Sequence, residues 1–240
     1  MLFFLIRHGD PIYDPDSLTP LGHRQAEALA KRLAAYGLDE IYTSTSNRAM
    51  LTAKPTCELL KLEAKPLDFA NERYTWAELT VKREDGRDGV TWLFYNRRTA
   101  ALFNSREIRE LGDRWYDHPE LAPYNYKKGI DRIYDASDGF FESLGYVHER
   151  YTGKYKTEKK NDKRVALFAH QGFGLAFLSC VLDIPYPMIS THFDICTSGM
   201  TVIEFQDMGD YALPKVLTLS SDSHLYREGL PLVYNGGPRF

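Results

Sequence analysis

The spacing of apolar residues changes character along the chain. Leu2-Phe3-Phe4-Leu5-Ile6 is an unbroken apolar run, and a second, Val165-Ala166-Leu167-Phe168-Ala169, lies far downstream. Neither alternates with polar residues, so each predicts a strand buried on both faces, as in a parallel sheet covered by helices. After the first run the spacing becomes helical: Leu21, Gln25, Leu29 and Leu33 recur every fourth position, with Ala26 and Ala30 beside them. Thr19 is placed to cap that helix, Pro20 suits its first position and Gly37 its end. Residues 39–43 read as a short strand. Ala49, Ala53, Cys57 and Leu60 then mark a second helical stripe, with Ser46 or Asn47 as cap. Pro55 inside it predicts a kink or a break. Strand, helix, strand in this order implies a right-handed crossover and parallel pairing.

From about residue 70 to 163 the pattern loosens, and Trp76, Trp92 and Trp115 all fall here with many tyrosines. This stretch reads as a mainly helical insertion, with helices near 92–103, 105–116 and 129–151. Its aromatics are expected to form a small core of their own, the alternative being the wall of a substrate pocket. The charge-rich run 154–164 reads as a solvated loop. Past the second buried run come a helix over 173–182, a short helix near 188–193 and strands at 200–205 and 215–219. Residues 220–225 return polar side chains to the domain, and an irregular tail follows Gly229.

The chain has 240 residues, enough for one domain over 1–240 that combines a core with a cap-like insertion at about 70–163. A net charge of -3 offers no field for nucleic acid or a membrane surface. Cys57, Cys180 and Cys196 are odd in number and widely spaced, so they form neither a metal pattern nor a disulfide framework. A reducing, cytoplasmic setting is the simplest expectation. The apolar start is too short for a secretion signal, and no stretch is long enough to span a bilayer. No helix offers an evident self-complementary face.

The chemistry gathers at strand ends. The first buried run stops at Arg7-His8-Gly9 and the second at His170-Gln171-Gly172, while Arg48 opens the helix after the second strand. In open parallel sheets, ligands bind beyond the carboxyl ends of strands. A helix N-terminus favours anions, and an arginine there adds a bidentate grip on phosphate. Gln171 and Gly172 offer backbone N–H groups to phosphate or simply cap their helix. Arg7, His8, Arg48 and His170 together would make a positive pocket without metal. Such a pocket suits phosphoryl transfer, where catalysis is mostly positioning and charge stabilisation. His224 reads as an ordinary hydrogen-bonded histidine and His23 as a surface one. His118, His148 and His192 lack metal-ligand spacing.

In these residues the chain resembles the histidine phosphatase superfamily, also called phosphoglycerate mutase-like. The matching positions are Arg7-His8-Gly9, Leu18-Thr19-Pro20-Leu21-Gly22 with Gln25-Ala26, Thr43-Ser44 with Arg48-Ala49 and Thr52-Ala53, and Ala169-His170-Gln171-Gly172. The resemblance implies an α/β fold, a three-layer α/β/α sandwich with a mostly parallel central sheet, and no metal or other cofactor. It implies that His8 is transiently phosphorylated and that Arg7, Arg48 and His170 hold the phosphate. His8 must then be neutral at its attacking nitrogen, with the other nitrogen bound to backbone near Gly9. The family's proton donor is a glutamate soon after the second helix. Glu78, after Trp76-Ala77, fits that place better than Glu72, and Asp10 is a third candidate. Mutases of the family carry an Asn-rich, Trp-containing stretch after Arg-His-Gly, whereas this chain has Asp10-Pro11-Ile12-Tyr13-Asp14-Pro15. The resemblance therefore favours a metal-independent phosphomonoesterase acting on a small phosphorylated metabolite. The alternatives are a mutase-type phosphotransferase and a catalytically weak relative that binds phosphorylated ligands.

Overall fold

In the computed structural model, which describes residues 1–235, the two apolar runs lie side by side at the centre of the sheet. The strands are β1 (Leu2–Arg7), β2 (Pro11–Tyr13), β3 (Asp16–Leu18), β4 (Glu40–Ser44), β5 (Ala64–Leu67), β6 (Thr80–Lys82) and β7 (Val90–Trp92). They continue as β8 (Tyr146–Glu149), β9 (Lys154–Thr157), β10 (Arg164–Ala169), β11 (Met200–Asp207) and β12 (Tyr211–Ser221). The α-helices are α1 (Pro20–Tyr36), α2 (Asn47–Leu60), α3 (Glu72–Glu78), α4 (Arg97–Phe103) and α5 (Arg106–Leu111). After them come α6 (Tyr126–Ser143), α7 (Gln171–Leu182), α8 (Tyr186–His192) and α9 (Ser223–Arg227). Eight strands form one sheet in the order β5-β4-β10-β1-β11-β12-β9-β8. Pairing is parallel from β5 to β1 and antiparallel beyond, so the parallel core carries the strand ends of interest.

Both faces of the core are covered, as continuous apolar strands require. Phe4 and Ile6 of β1, with Ala166 and Phe168 of β10, meet Leu29 and Leu33 of α1 and Ala53 of α2. Phe3, Leu5, Val165 and Leu167 point the other way, into a cluster that includes Phe141 of α6 and Phe177 of α7. Each such side chain contributes about 1.5–3 kcal/mol when fully buried. Thr19 caps α1 by accepting the Gly22 N–H at 3.0 Å, and Gly37 ends the helix at φ 72°. Pro55 sits within α2 without breaking it. No helix of the described residues is long and apolar enough to cross a membrane.

The insertion differs from the sequence reading in three places. Its aromatics do not form a separate core: Phe103, Trp115 and Tyr126 belong to the same cluster as Phe3 and Leu5. Trp92 ends β7, and α4 begins only at Arg97, capped by the Asn96 side chain on the Thr99 N–H. The helix expected to reach residue 151 stops at Ser143, because Gly145 turns the chain at φ 95°. Tyr146–Glu149 and Lys154–Thr157 then pair as a hairpin on the edge of the main sheet. The run from Lys154 is therefore partly strand. Its alternation was masked because the outward residues are lysines, while Tyr155 is wholly buried. Residues 11–18 hold a small ribbon, and 64–67 an edge strand, neither of which the sequence pattern marked. Of the tail after Gly229, residues 236–240 lie outside the described part.

The hairpin is tied to the helices through His148. Its Nδ1 lies 2.8 Å from Asp138 and its Nε2 3.1 Å from Asp183, and the ring stacks on Tyr155 with centroids 4.2 Å apart. Burial opposes the imidazolium, but the two carboxylates prevail and raise the pKa from 6.5 to about 9. A folded pKa above the unfolded one stabilises the fold fully below the unfolded value, and that contribution fades as pH rises through the folded value. Stability to urea should thus fall between pH 6.5 and about 9, and His148→Gln should flatten that part of the profile. An unchanged profile in the variant would contradict the assignment.

Candidate active site

Arg7 closes β1, and its side chain is buried at the carboxyl end of that central strand. The guanidinium donates to the Ile195 carbonyl at 2.5 Å and to the Asn235 side-chain oxygen. His8 follows, with its N–H on the Ala169 carbonyl at 3.0 Å and its carbonyl accepting the Ser198 N–H at 2.9 Å. Strands β10 and the loop before β11 thus clamp its backbone from both sides. The His8 ring is 1% exposed, and Nδ1 lies 2.7 Å from the Gly9 carbonyl. A carbonyl only accepts, so Nδ1 carries the proton and Nε2 keeps its lone pair. Burial, then Arg7 and Arg48, hold the His8 pKa well below its ordinary value. The ring is therefore a neutral base with one nitrogen free.

Glycine at 9 and 22 is a contact requirement. A Cβ on Gly9 would lie 2.6 Å from the Gly22 carbonyl oxygen, and one on Gly22 would lie 2.2 Å from the Asp10 oxygen. Backbone meets backbone there, which brings the start of α1 against the loop that carries His8. Thr52 of α2 accepts the Gly9 N–H at 2.9 Å, and buried Gln25 accepts the Asp10 N–H at 2.8 Å. Two helices therefore fix the loop from below.

Arg48 stands in the first turn of α2, as the sequence predicted. It reaches Asp16 at 2.8 Å and Glu72 at 3.3 Å, and its guanidinium lies 5.4 Å from the centre of the Tyr13 ring. His170, at the end of β10, is buried and edge-on to His8 with ring centroids 5.2 Å apart. Its Nε2 meets Ser44 at 2.8 Å and Ser46 at 3.3 Å. Ser46 occupies the cap position of α2 but spends its hydroxyl on this histidine, and Asp16 takes the Asn47 N–H instead. Burial, then His8, Arg48 and Arg7, hold the His170 pKa well below normal. Among the described residues its Nδ1 has no hydrogen-bond partner, and it lies 3.7 Å from Glu72.

The structure places the two candidate glutamates differently. Glu78, favoured from sequence, is held by Arg132 through contacts of 2.7–2.9 Å and packs on Gly129 of α6. Glu72, one helical residue after the Asn71 cap of α3, reaches the pocket instead. It pairs with Arg48, faces His170 and accepts the Gly172 N–H at 2.8 Å, so it caps α7 as well. The six-position offset between these glutamates on α3 puts their side chains in different directions, and motif position alone did not resolve them. Asp10 is turned aside and accepts the Thr19 hydroxyl at 2.8 Å. Gln171 gives its side chain to Tyr95 at 2.9 Å and receives Asn235 at 2.9 Å. His224 is buried on Ser198 at 2.9 Å, behind the His8 backbone, and His23 is exposed. Tyr13, Asp16, Tyr95 and Asn235 were not read from the sequence as site residues, since their neighbours carry no strand-end or helix-start signal.

Beside these groups lies a cavity of 660 Å³ whose lining includes Tyr13, Ser46, Arg48, Glu72, Trp92 and Tyr95. His8, Glu72 and His170 each offer one ligand atom within 4.8 Å of the others, a set that zinc accepts elsewhere. Here two guanidiniums border the same space, which disfavours a divalent cation and favours an anion. A phosphate dianion fits the charge. Nε2 of His8 keeps its lone pair, and Glu72 holds a carboxyl within the same cluster.

The model of the histidine phosphatase superfamily (branch 1) matches residues 3–118. Among solved structures, the chain is similar to phosphoserine phosphatase from Entamoeba histolytica in complex with 3-phosphoglyceric acid. That match has a TM-score of 0.58 and 17% identity, and covers 93% of this chain and 98% of that one. It is also similar to a mycobacterial glucosyl-3-phosphoglycerate phosphatase, with a TM-score of 0.59, 17% identity, and coverage of 92% and 99%. At such identity the likeness is one of fold. No curated protein matches the chain.

Gly172 offers a test of how Trp92 closes the cavity. A Cβ there would lie 2.2 Å from the Trp92 ring. Alanine in a helix gains up to about 1 kcal/mol over glycine. Overpacking against a buried indole costs about 1–3 kcal/mol. Gly172→Ala should therefore lower the melting temperature and shift tryptophan emission. A more stable variant with unchanged emission would contradict this packing.

Proposed function

We propose that the chain, which resembles the histidine phosphatase superfamily and matches its model over residues 3–118, is a metal-independent phosphomonoesterase. The observation that carries the reading is His8, a buried neutral imidazole with Nδ1 bound to the Gly9 carbonyl and two arginines beside it. The Nε2 lone pair attacks phosphorus in line, an N–P bond forms and the ester P–O bond breaks. Arg7, Arg48 and His170 take up charge on the equatorial oxygens. A monoanionic phosphoester brings a proton, which the Glu72 carboxylate takes up and gives to the leaving oxygen. The carboxylate then takes a proton from water, whose oxygen attacks phosphorus and breaks the N–P bond. Phosphate leaves with that proton, and His8 and Glu72 return to their starting states. Asp16 positions Arg48, and Ser44 orients His170. In this reading residues 70–163 serve as a cap: they bring Glu72 to the site and wall its cavity with Trp76, Trp92 and Tyr95. The substrate is a small phosphorylated metabolite. The two solved structures named above are a phosphoserine phosphatase and a glucosyl-3-phosphoglycerate phosphatase, and phosphatase activity on this fold supports the reading.

Hydrolysis of p-nitrophenyl phosphate should persist in excess EDTA and vanish in His8→Ala; activity that EDTA removes and His8→Ala keeps would overturn the reading. Because the His8 pKa is lowered, the neutral form persists into acid. The acid limb of kcat/KM should therefore lie below the ordinary histidine value of 6.5. An acid limb at or above that value would contradict the neutral nucleophile. Glu72→Gln should lose about a hundredfold or more with alkyl phosphates, whose leaving groups need a proton, and much less with p-nitrophenyl phosphate. Glu78→Gln should show no such leaving-group dependence. The reverse pattern would restore the assignment made from sequence.

A further inference from the structure

A second cavity, of 880 Å³, opens beside the first. Arg83, Thr91, Tyr95 and Asn235 line both, so the two form one continuous trough. Its outer part is built by the turn between β6 and β7 and by the start of α4. The lining there includes Arg83, Arg87, Arg97 and Arg98, against two carboxylates, Glu84 and Asp85. Asp85 serves Arg83 at 3.2 Å and Arg87, and Arg98 is matched at 2.6 Å by Glu120. Arg97 has neither an ion pair nor a side-chain hydrogen bond among the described residues and stands exposed at the groove. The outer trough is thus cationic, and among the described residues its Arg97 guanidinium is unmatched, while the chain as a whole is acidic.

In-line attack by His8 places the leaving group on the far side of phosphorus, toward the cavity ringed by Tyr13, Trp76 and Tyr95. A leaving group longer than a few atoms must run along that trough, and its far end meets the arginines. We propose that the natural substrate is an elongated phosphomonoester with a second anionic group at its far end, held by Arg83 and Arg97. This rests on the phosphomonoesterase reading and adds a substrate class to it. Guanidinium forks suit phosphate and carboxylate alike, and both are strong partners when charged.

The test is a series of alkyl monophosphates of increasing chain length whose far end is a hydroxyl, a carboxylate or a phosphate. At some length an anionic end should raise kcat/KM over the hydroxyl by about tenfold or more, chiefly through KM, which is the scale of a charged hydrogen bond. The advantage should shrink with added salt. Arg97→Ala and Arg83→Ala should each lower the ratio of anionic to hydroxyl-ended substrate, and a larger ratio for phosphate than carboxylate would identify the group. No advantage at any length, or an undiminished ratio in both variants, would overturn the proposal. Failure to hydrolyse even the hydroxyl-ended compounds would instead remove the phosphomonoesterase reading. In that event binding of the same series, followed through tryptophan emission at Trp76 and Trp92, still decides the second anion: equal affinity for all three ends rejects it.

Discussion

An imidazole sealed from water between two guanidiniums cannot take up a proton at neutral pH without opposing both. That constraint governs the site. His8 lies with Arg7 and Arg48 as its charged neighbours, and burial adds to their effect. The Gly9 carbonyl then decides which nitrogen keeps the single proton. Neutrality and tautomer are set by the fold before any ligand arrives, so in the proposed reaction the lone pair is already aimed and costs no reorganisation.

Much of the surrounding structure serves to keep that ring in place. The His8 backbone is clamped by Ala169 and Ser198, and the next two residues by Thr52 and Gln25. Gly9 and Gly22 let α1 approach to backbone contact, which no larger residue at either position permits. Glu72 links three elements by itself: it pairs with Arg48 of α2, faces His170 of β10 and caps α7 at Gly172. A carboxylate in that position offsets part of the arginine charge, so the pocket is not left with bare cations.

The parts legible in the sequence were those written in local patterns. The apolar runs at 2–6 and 165–169 specified doubly buried strands, and the residues that end them, His8 and His170, sit edge-on in the structure. Thr19, Pro20 and Gly37 bounded α1 because capping is a short-range effect. Arg48 could be placed because a helix start after a strand is itself a local signal. Glu72 could not be told from Glu78, since the difference is which side of a seven-residue helix faces His170 and which faces Arg132. The hairpin at 146–157 was hidden for a different reason. Its outward lysines and its glutamate read as solvated charge, while its inward Tyr146 and Tyr155 answer to a sheet formed by distant residues. Asn235, which touches Arg7 and Gln171 from the far end of the chain, is a long-range contact with no sequence signature.

The claim that everything else supports is that Nε2 of His8 forms a bond to phosphorus. The most direct measurement is to quench the enzyme in base during turnover of a phosphoester and map the phosphoryl group by mass spectrometry. The account predicts an acid-labile, base-stable phosphate on His8, formed and consumed at least as fast as turnover. Turnover with His8 unmodified throughout, or a phosphoryl group on another residue, would contradict it.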